Sequence, residues 1–488
     1  MSLPFNFARR HGVLLTTLPQ GHGLLAREDA PLNALLEAQR VAGATLPLHI
    51  VSAEQFELQL QQSYESSAAG SEDIMTGLGD GLDLDALADS LREPMDLMEA
   101  ADDTPIIRFI NAVLAEAIRD NASDIHIEPF ERRLLVRMRI DGILHEIMTP
   151  PPAIAPLLVS RIKIMAKLDI AEKRLPQDGR ISLRIANRPV DVRVSTMPAG
   201  HGERIVLRLL DKRAGRLELD QIGMDPDTLA ALDQIIHLPH GIFLVTGPTG
   251  SGKTTTLYAA LGRLNDATRN IMTVEDPIEY YIDGIAQSQV NLRTDMTFAR
   301  GLRAMLRQDP DVVMVGEVRD LETAEIAIQA SLTGHMVFST LHTNTAIGAI
   351  TRLRDMGTEP FLLSSSLAGV LAQRLIRLLC PQCKTATTLP EAEARALGVP
   401  ELSGHAVYDA NANGCAHCNG IGYKGRTAIY ELIHVDDTLR GLIHDGAAEA
   451  VMAGHVRQTS PSLTAVGVRK IVDGLTSPAE LLRVTRVL

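Results

Sequence analysis

The chain has 488 residues and a formal net charge of −13, a length that accommodates about three domains and can bury sizeable cores. Twelve acidic residues and one basic residue, Arg92, lie between Glu65 and Asp103, so −11 of that charge sits in one segment and −2 is left for the rest; a nearly neutral body lacks the basic footprint of a general nucleic-acid-binding surface. No apolar run reaches the roughly eighteen residues that span a bilayer, and residues 1–10 carry no cleavable hydrophobic region, so the expectation is a cytoplasmic protein with at most peripheral, partner-mediated membrane association.

Residues 1–63 read as a small mixed domain, with strands near 12–15 and 47–51 and helices over 31–40 and 53–62. It shows no catalytic constellation, so its residues suit either a docking module or a structural cap. Residues 64–103 are acidic and rich in Gly, Ser and Ala. Gly77, Gly79 and Gly81 interrupt any helix, and Leu84, Leu87 and Leu91 allow one short amphipathic turn set, which predicts a flexible linker with a transient helix. Residues 104–240 read as an α+β domain. A helix over 106–121 leads into alternating strands at 123–129 and 134–142, and further strands follow at 189–197 and 203–210.

A third domain begins near Gly241. The apolar run 241–246 reads as a buried strand, 255–264 as a helix, and between them stands Gly247-Pro248-Thr249-Gly250-Ser251-Gly252-Lys253-Thr254, followed by Thr255. This is G-x-x-x-x-G-K-[ST], the phosphate-binding loop of nucleoside triphosphatases. Glycines let several backbone N–H groups converge on a triphosphate. Lys253 can reach the β- and γ-phosphates of ATP, Thr254 can hold Mg²⁺, and the helix N-terminus adds positive potential.

Two carboxylate clusters follow. The β-rich run 272–274 ends in Glu275 and Asp276, with Glu279 nearby, and acids at the C-terminal edge of a parallel strand sit where α/β folds bind ligands. Glu275 or Asp276 can polarise the attacking water or hold the metal's water shell. The apolar run 312–315 ends at Gly316-Glu317, the logic of the second metal-binding motif of phosphate-loop enzymes, with Glu where Asp is more usual. A further apolar strand is framed by His335 and His342, which raises the prospect of γ-phosphate sensing. Residues 361–379, with Gln373, Arg374 and Arg377 among apolar residues, read as an amphipathic helix.

The chain's four cysteines form two C-x₂-C pairs, Cys380/Cys383 and Cys415/Cys418, with 31 residues between them. Each pair can chelate one side of a tetrahedral Zn²⁺, and the gap implies a small structured segment between them. Redox dithiols or disulfides are the alternative; a reducing cytoplasm disfavours them. A mainly helical tail ends the chain.

The order of these segments resembles the secretion ATPase superfamily, whose type II secretion and type IV pilus members power fibre assembly. The resemblance implies α+β domains, the second of them PAS-like, followed over 241–488 by a RecA-like α/β ATPase domain that includes a zinc-binding insert (about 380–418) and a helical C-terminal tail. It places Walker A at 247–254, the Asp-box acids at Glu275, Asp276 and Glu279, the Walker B acid at Glu317 and the His-box histidines at His335 and His342. It further implies arginines from the preceding domain that contact the phosphates in cis or across a subunit boundary; Arg193, Arg204 and Arg208 match, without deciding which acts. A charge supplied this way is worth about 10³ to 10⁵ in rate. The tetracysteine insert is typical of secretion and assembly members, and residues 3–14 look like the start of the type II secretion branch, the GspE family. That branch implies ATP, Mg²⁺ and Zn²⁺ as cofactors, a homo-oligomer, a hexameric ring, and docking of residues 1–63 onto the cytoplasmic domain of the inner-membrane component GspL. The alternatives are a pilus-assembly ATPase of the same superfamily, a DNA-translocating motor, which the neutral body disfavours, and a nucleotide-gated scaffold.

Overall fold

The computed structural model describes residues 11–18, 21–27, 30–42, 46–52, 56, 104–185, 188–211 and 217–485. The acidic segment expected as a linker, the start of the chain and most of the helix expected over 53–62 lie outside them. The chain divides into two compact units, Met1–Ala112 and Val113–Leu488, the division falling inside the helix Thr104–Arg119.

The first unit holds a three-stranded sheet, β1 (Val13–Leu18), β2 (Gly21–Arg27) and β3 (Leu48–Val51), in that order. β1 and β2 are antiparallel, while β3 joins β2 in parallel after the helix Leu32–Ala42. Alternation along the strands sends Val13 and Leu24 against Ala34 and Ala38 of that helix, and Leu14 and Leu25 against Phe56 on the other face.

The second unit is built on two large sheets. Its first carries β4 (Asp124–Pro129), β5 (Leu134–Ile140), β6 (Ile143–Met148), β7 (Gln177–Ile185), β8 (Arg188–Ala199) and β9 (Gly202–Asp211) in the order β6-β5-β4-β9-β8-β7. Every pairing in it is antiparallel. Each predicted strand of this region is present; β6 and β7 add to them.

The second large sheet gathers β10 (Gly241–Thr246), β11 (Ile271–Glu275), β12 (Ile285–Gln289), β13 (Val312–Val315), β14 (Met336–Leu341), β15 (Leu367–Leu379) and, beyond a small hairpin-like pair β16 (Thr385–Thr388) and β17 (Ala406–Asp409), β18 (Tyr423–His434). The order is β12-β11-β13-β14-β10-β15-β18. All pairings are parallel except β15 with β18. Parallel strands are buried on both faces, and β10 shows it: Ile242 and Leu244 enter one core with Val313, Val315 and Val337, while Phe243 and Val245 enter the other with Met314 and Phe338. Among the described residues no helix is long and apolar enough to cross a membrane.

One sequence expectation fails here. Residues 361–379 are not an amphipathic helix: a short helix, Pro360–Ser366, gives way to the 13-residue strand β15. The spacing of Gln373, Arg374 and Arg377 mimics a helical polar face. In the fold β15 lies between β10 and β18, and its residues from Leu367 to Arg374 are all buried, so each polar side chain has its own partner rather than a shared wet face. Tertiary pairing overrides local pattern.

Candidate nucleotide-binding site and four-cysteine cluster

β10 ends at Thr246, and the loop that follows turns into the helix Lys253–Leu264. Two glycines make the turn possible. Gly247 has φ 152°, and a Cβ there would lie 2.6 Å from the carbonyl oxygen of Gln373; Gly252 caps the helix at φ 89°, in the left-handed region. Lys253 is 8% exposed and its Nζ donates to the carbonyls of Gly247 (2.8 Å) and Pro248 (3.2 Å). Burial lowers its pKa to about 8, against the pull of Glu317 and with the repulsion of Arg374. Pro248, Thr249, Gly250, Ser251, Gly252, Thr254 and Thr255 line a cleft of about 1010 Å³ with Lys253. Thr254 is exposed to it at the helix N-terminus.

The parallel sheet brings the other predicted motifs to the same edge. Glu317, Asp276, Glu279 and His342 line the cleft. Glu317 follows β13; one carboxylate oxygen pairs with Arg319, and the other lies 3.6 Å from His342 Nε2. The pKa of His342 is lowered, first by burial and then by Lys253, so the ring is neutral at neutral pH. β13 and β14 are cross-tied there by Thr340 Oγ1 donating to Gly316 O at 2.7 Å.

Glu275 is 3% exposed and both of its oxygens are engaged. Thr273 Oγ1 (2.5 Å) and Gln287 Nε2 (3.1 Å) donate to one, and the Tyr258 hydroxyl to the other. Burial raises its pKa even against these donors. Glu275 also lines the cleft, but with both oxygens engaged its geometry is that of an anchor fastening the acidic loop to the helix Lys253–Leu264, while Asp276 and Glu279 are exposed.

The three arginines of the antiparallel sheet go to different places. Arg193 donates to Glu279 (3.2 Å) and to Ile278 O (3.4 Å), joining the two sheets beside the acidic loop. Arg208 lines the cleft and is held by Asp124 at 2.8 Å. Arg204 does not line it; it pairs with Glu128 at 2.7 Å. His335 is also kept away: it precedes β14 at the N-terminal edge of the sheet, roughly 20 Å along the strand from His342, where its Nδ1 contacts Ala330 O at 2.9 Å.

Sequence reasoning missed the brace beneath the loop. Gln373 on β15 is 1% exposed; its Nε2 donates to Ser251 O (2.6 Å) and its Oε1 accepts from Thr256 Oγ1 (2.8 Å). Arg374 beside it lines the cleft. Misreading β15 as a helix hid both. Asp141, at the β5–β6 turn, accepts from the Gly425 N–H at 2.9 Å and pairs with Arg426 at 3.2 Å; nothing in the local sequence announces this contact.

The cysteines converge. Their four Sγ atoms lie within 4.8 Å of one another, with Cys380–Cys415 and Cys383–Cys418 at 3.7 Å and Cys415–Cys418 at 3.8 Å. Disulfide sulfurs sit at about 2.05 Å. Thiolates about 2.3 Å from one tetrahedral ion sit about 3.8 Å apart. Backbone N–H groups of Cys415 (3.2 Å) and Gly422 (3.1 Å) donate to Cys418 Sγ; with the neighbouring thiols they outweigh burial and bring its pKa to about 6. The donor set therefore fits a thiolate-bound metal ion. The segment between the pairs is the β16–β17 sheet with the helix Glu391–Ala396.

Comparison with known proteins gives a consistent set of matches. Residues 99–483 match the family described as "Type II/IV secretion system protein", and residues 2–64 match a domain family of "GSPII protein E". "Type II secretion system protein E" of Pseudomonas aeruginosa is 59% identical over 99% of this chain and 96% of its own. "Type II secretion system ATPase E" of Vibrio cholerae is 55% identical over 99% and 96%. Among solved structures, the pilus retraction motor PilT with bound ADP aligns at 27% identity and TM-score 0.53, over 78% of this chain and 97% of that one. The ATPase DotB of Legionella pneumophila aligns at 22% identity and TM-score 0.57, over 77% and 95%, and shares the fold.

Proposed function

The chain belongs to the type II/IV secretion system protein family, on its type II protein E branch, and from that membership and the cleft we propose that it is the ATPase motor of a type II secretion system. Hydrolysis of ATP powers pseudopilus assembly and protein export. The observation that carries this reading is the convergence, at one sheet edge, of the loop 247–254 with Lys253, Glu317, Asp276 and His342.

Each side chain has a task that its geometry supports. The loop's N–H groups and the helix N-terminus hold the phosphates. Lys253, now resting on the loop carbonyls Gly247 and Pro248, exchanges these neutral acceptors for phosphate oxygens. Glu317, carboxylate toward the cleft, orients the attacking water, and neutral His342 beside it reads the terminal phosphate. Thr254, with Asp276 lining the same cleft, would hold Mg²⁺, which when bound would supply charge neutralisation at the phosphates. Arg193 ties the antiparallel sheet to this edge and Arg208 faces the cleft from that sheet, so a change of nucleotide shifts one sheet against the other. Arg204 and His335, remote from this chain's own cleft, suit a contact with a neighbouring subunit of a hexameric ring.

The four cysteines would hold Zn²⁺ as a structural ion. Residues 1–63 dock onto the cytoplasmic domain of a GspL-type inner-membrane component, placing the motor at the cytoplasmic face of that membrane. The first unit exposes Leu32 and Leu36, one helical turn apart, and Leu48 and Ile50 on β3, apolar side chains that suit a protein partner. The match of residues 2–64 favours the type II branch over the pilus branch. Lys253→Ala removes the phosphate-binding ammonium and leaves the fold intact. Phosphate release by the variant should fall to background with an unchanged circular dichroism spectrum; turnover at the wild-type rate would reject the assignment.

A further inference from the structure

Adjacent residues of a strand point to opposite faces of its sheet. On β15 this sends Gln373 under the phosphate loop and Arg374 toward the segment that follows β14. Arg374 is 7% exposed and lines the cleft. Its Nη2 donates to Asn344 O (2.9 Å) and Asn344 Oδ1 (3.1 Å), and its Nη1 to Gln373 O (3.2 Å). All three acceptors are neutral. Among the described residues no carboxylate pairs with it. The buried Glu431 acts on it through space, but that acid is itself held by Arg457 at 2.6 Å.

A guanidinium does not escape burial by losing its proton. A buried charge without a counter-ion is costly, and here it faces the cleft that also holds the Lys253 ammonium, which it repels. Glu317, the acid that acts on the Lys253 ammonium, is already paired with Arg319. An anion with several oxygens, entering between the loop 247–254 and Asn344, would relieve both cations together.

We propose that Arg374 is a phosphate-binding residue of the cleft, supplied by the same chain, that contacts the terminal phosphate and thereby distinguishes a nucleoside triphosphate from a diphosphate. The geometry explains the discrimination. Lys253 stands on the loop itself and serves either nucleotide. Arg374 reaches the cleft from β15, bonded to the segment after β14, and the phosphate that distinguishes the two nucleotides is the one it would meet. Its fork then exchanges the Asn344 side-chain oxygen for a phosphate oxygen, so the occupant of the cleft is felt by the segment that starts the helix Ala346–Asp355.

The inference rests on the nucleotide-site reading, and one set of titrations separates the two. The full chain and its Arg374→Met, Arg374→Lys and Lys253→Ala variants are titrated with fluorescent ADP and with a fluorescent non-hydrolysable ATP analogue, both with Mg²⁺. Losing a charged hydrogen bond costs about tenfold or more in affinity. Arg374→Met should therefore lose about tenfold or more for the triphosphate and under about threefold for ADP. Arg374→Lys keeps the charge without the planar fork and should fall between. Equal losses for both nucleotides, or no loss, overturn the proposal. If the Met variant does not fold, judged by its melting curve, the ratio measured for the Lys variant decides. Wild-type protein that binds neither nucleotide, or Lys253→Ala that binds both normally, refutes the site itself rather than the role of Arg374.

Discussion

Lys253 is poised by its surroundings. Its pKa of about 8 means that at neutral pH the ammonium is present and partly desolvated, which strengthens its attraction for phosphate. Above about 8 the free protein loses that proton, and binding an anion must take one up. Affinity for ATP should therefore be level below pH 8 and fall as pH rises beyond it, by up to about tenfold per unit. Titrations with a fluorescent ATP analogue between pH 7 and 9.5 read this directly, and a flat profile would show that Lys253 does not meet the phosphates. Neighbouring residues divide the work by burial. Glu275, sealed by Tyr258, Thr273 and Gln287, fastens a loop. Glu317 keeps a carboxylate at the cleft. Both are acids at strand ends; only their surroundings assign different tasks.

At the scale of elements, β15 is the part that most connects the molecule. It braces the phosphate loop through Gln373, faces the cleft with Arg374, and through Arg377 grips the C-terminal helix Pro478–Thr485. There Glu480, with a fully buried side chain, accepts from Arg377 Nη2 (2.8 Å), the Arg377 N–H (3.0 Å) and Arg483 Nη2 (2.6 Å). Burial opposes its ionisation, but these donors outweigh it and hold its pKa below the ordinary range. Since the folded value is the lower one, the contribution is complete above the unfolded carboxyl range and is lost as pH falls through the folded pKa. Glu480→Gln should cost about 3 kcal/mol at pH 7, discounted somewhat because Arg483 is half exposed, and the difference from wild type should shrink in acid below pH 4. Urea unfolding at the two pH values measures it; a variant as stable as wild type at pH 7 would mean that this cluster does not secure the tail. A second constraint lies at β10: Gly247→Ala forces a Cβ toward the Gln373 carbonyl oxygen, so nucleotide binding should drop at least about tenfold while the sheet, whose core is remote from that turn, still folds.

For the molecule as a whole, the four-cysteine cluster and the tail belong to one mechanical system. The segment between the cysteine pairs is tied to the tail by Lys384 Nζ donating to Gly474 O (2.8 Å), and β15 by the Leu379 N–H donating to Leu475 O (2.8 Å). If the cluster holds a thiolate-bound ion, removing it would leave four crowded sulfurs and loosen these contacts. A strong chelator should lower the melting temperature and open residues 380–423 to proteolysis, with stoichiometric zinc released; protein as purified that holds no zinc, or that melts identically after chelation, would refute a structural ion.

The phosphate loop, the acids at Glu275 and Glu317 and the paired cysteines were legible in the sequence because each is a short-range pattern. The loop's conformation is dictated by its own glycines, a carboxylate at the end of an apolar run announces a strand edge, and two C-x₂-C pairs define a chelate wherever they meet. Residues that act through distant partners were not legible. Gln373 and Arg374 carry meaning only once β15 lies beside β10, Asp141 only once its turn reaches Gly425, and His335 and His342 differ only because one edge of a parallel sheet faces the cleft and the other does not. Spacing along the chain encodes local geometry; which strand neighbours which is decided by burying two apolar faces at once, and that is a property of the packed sheet alone.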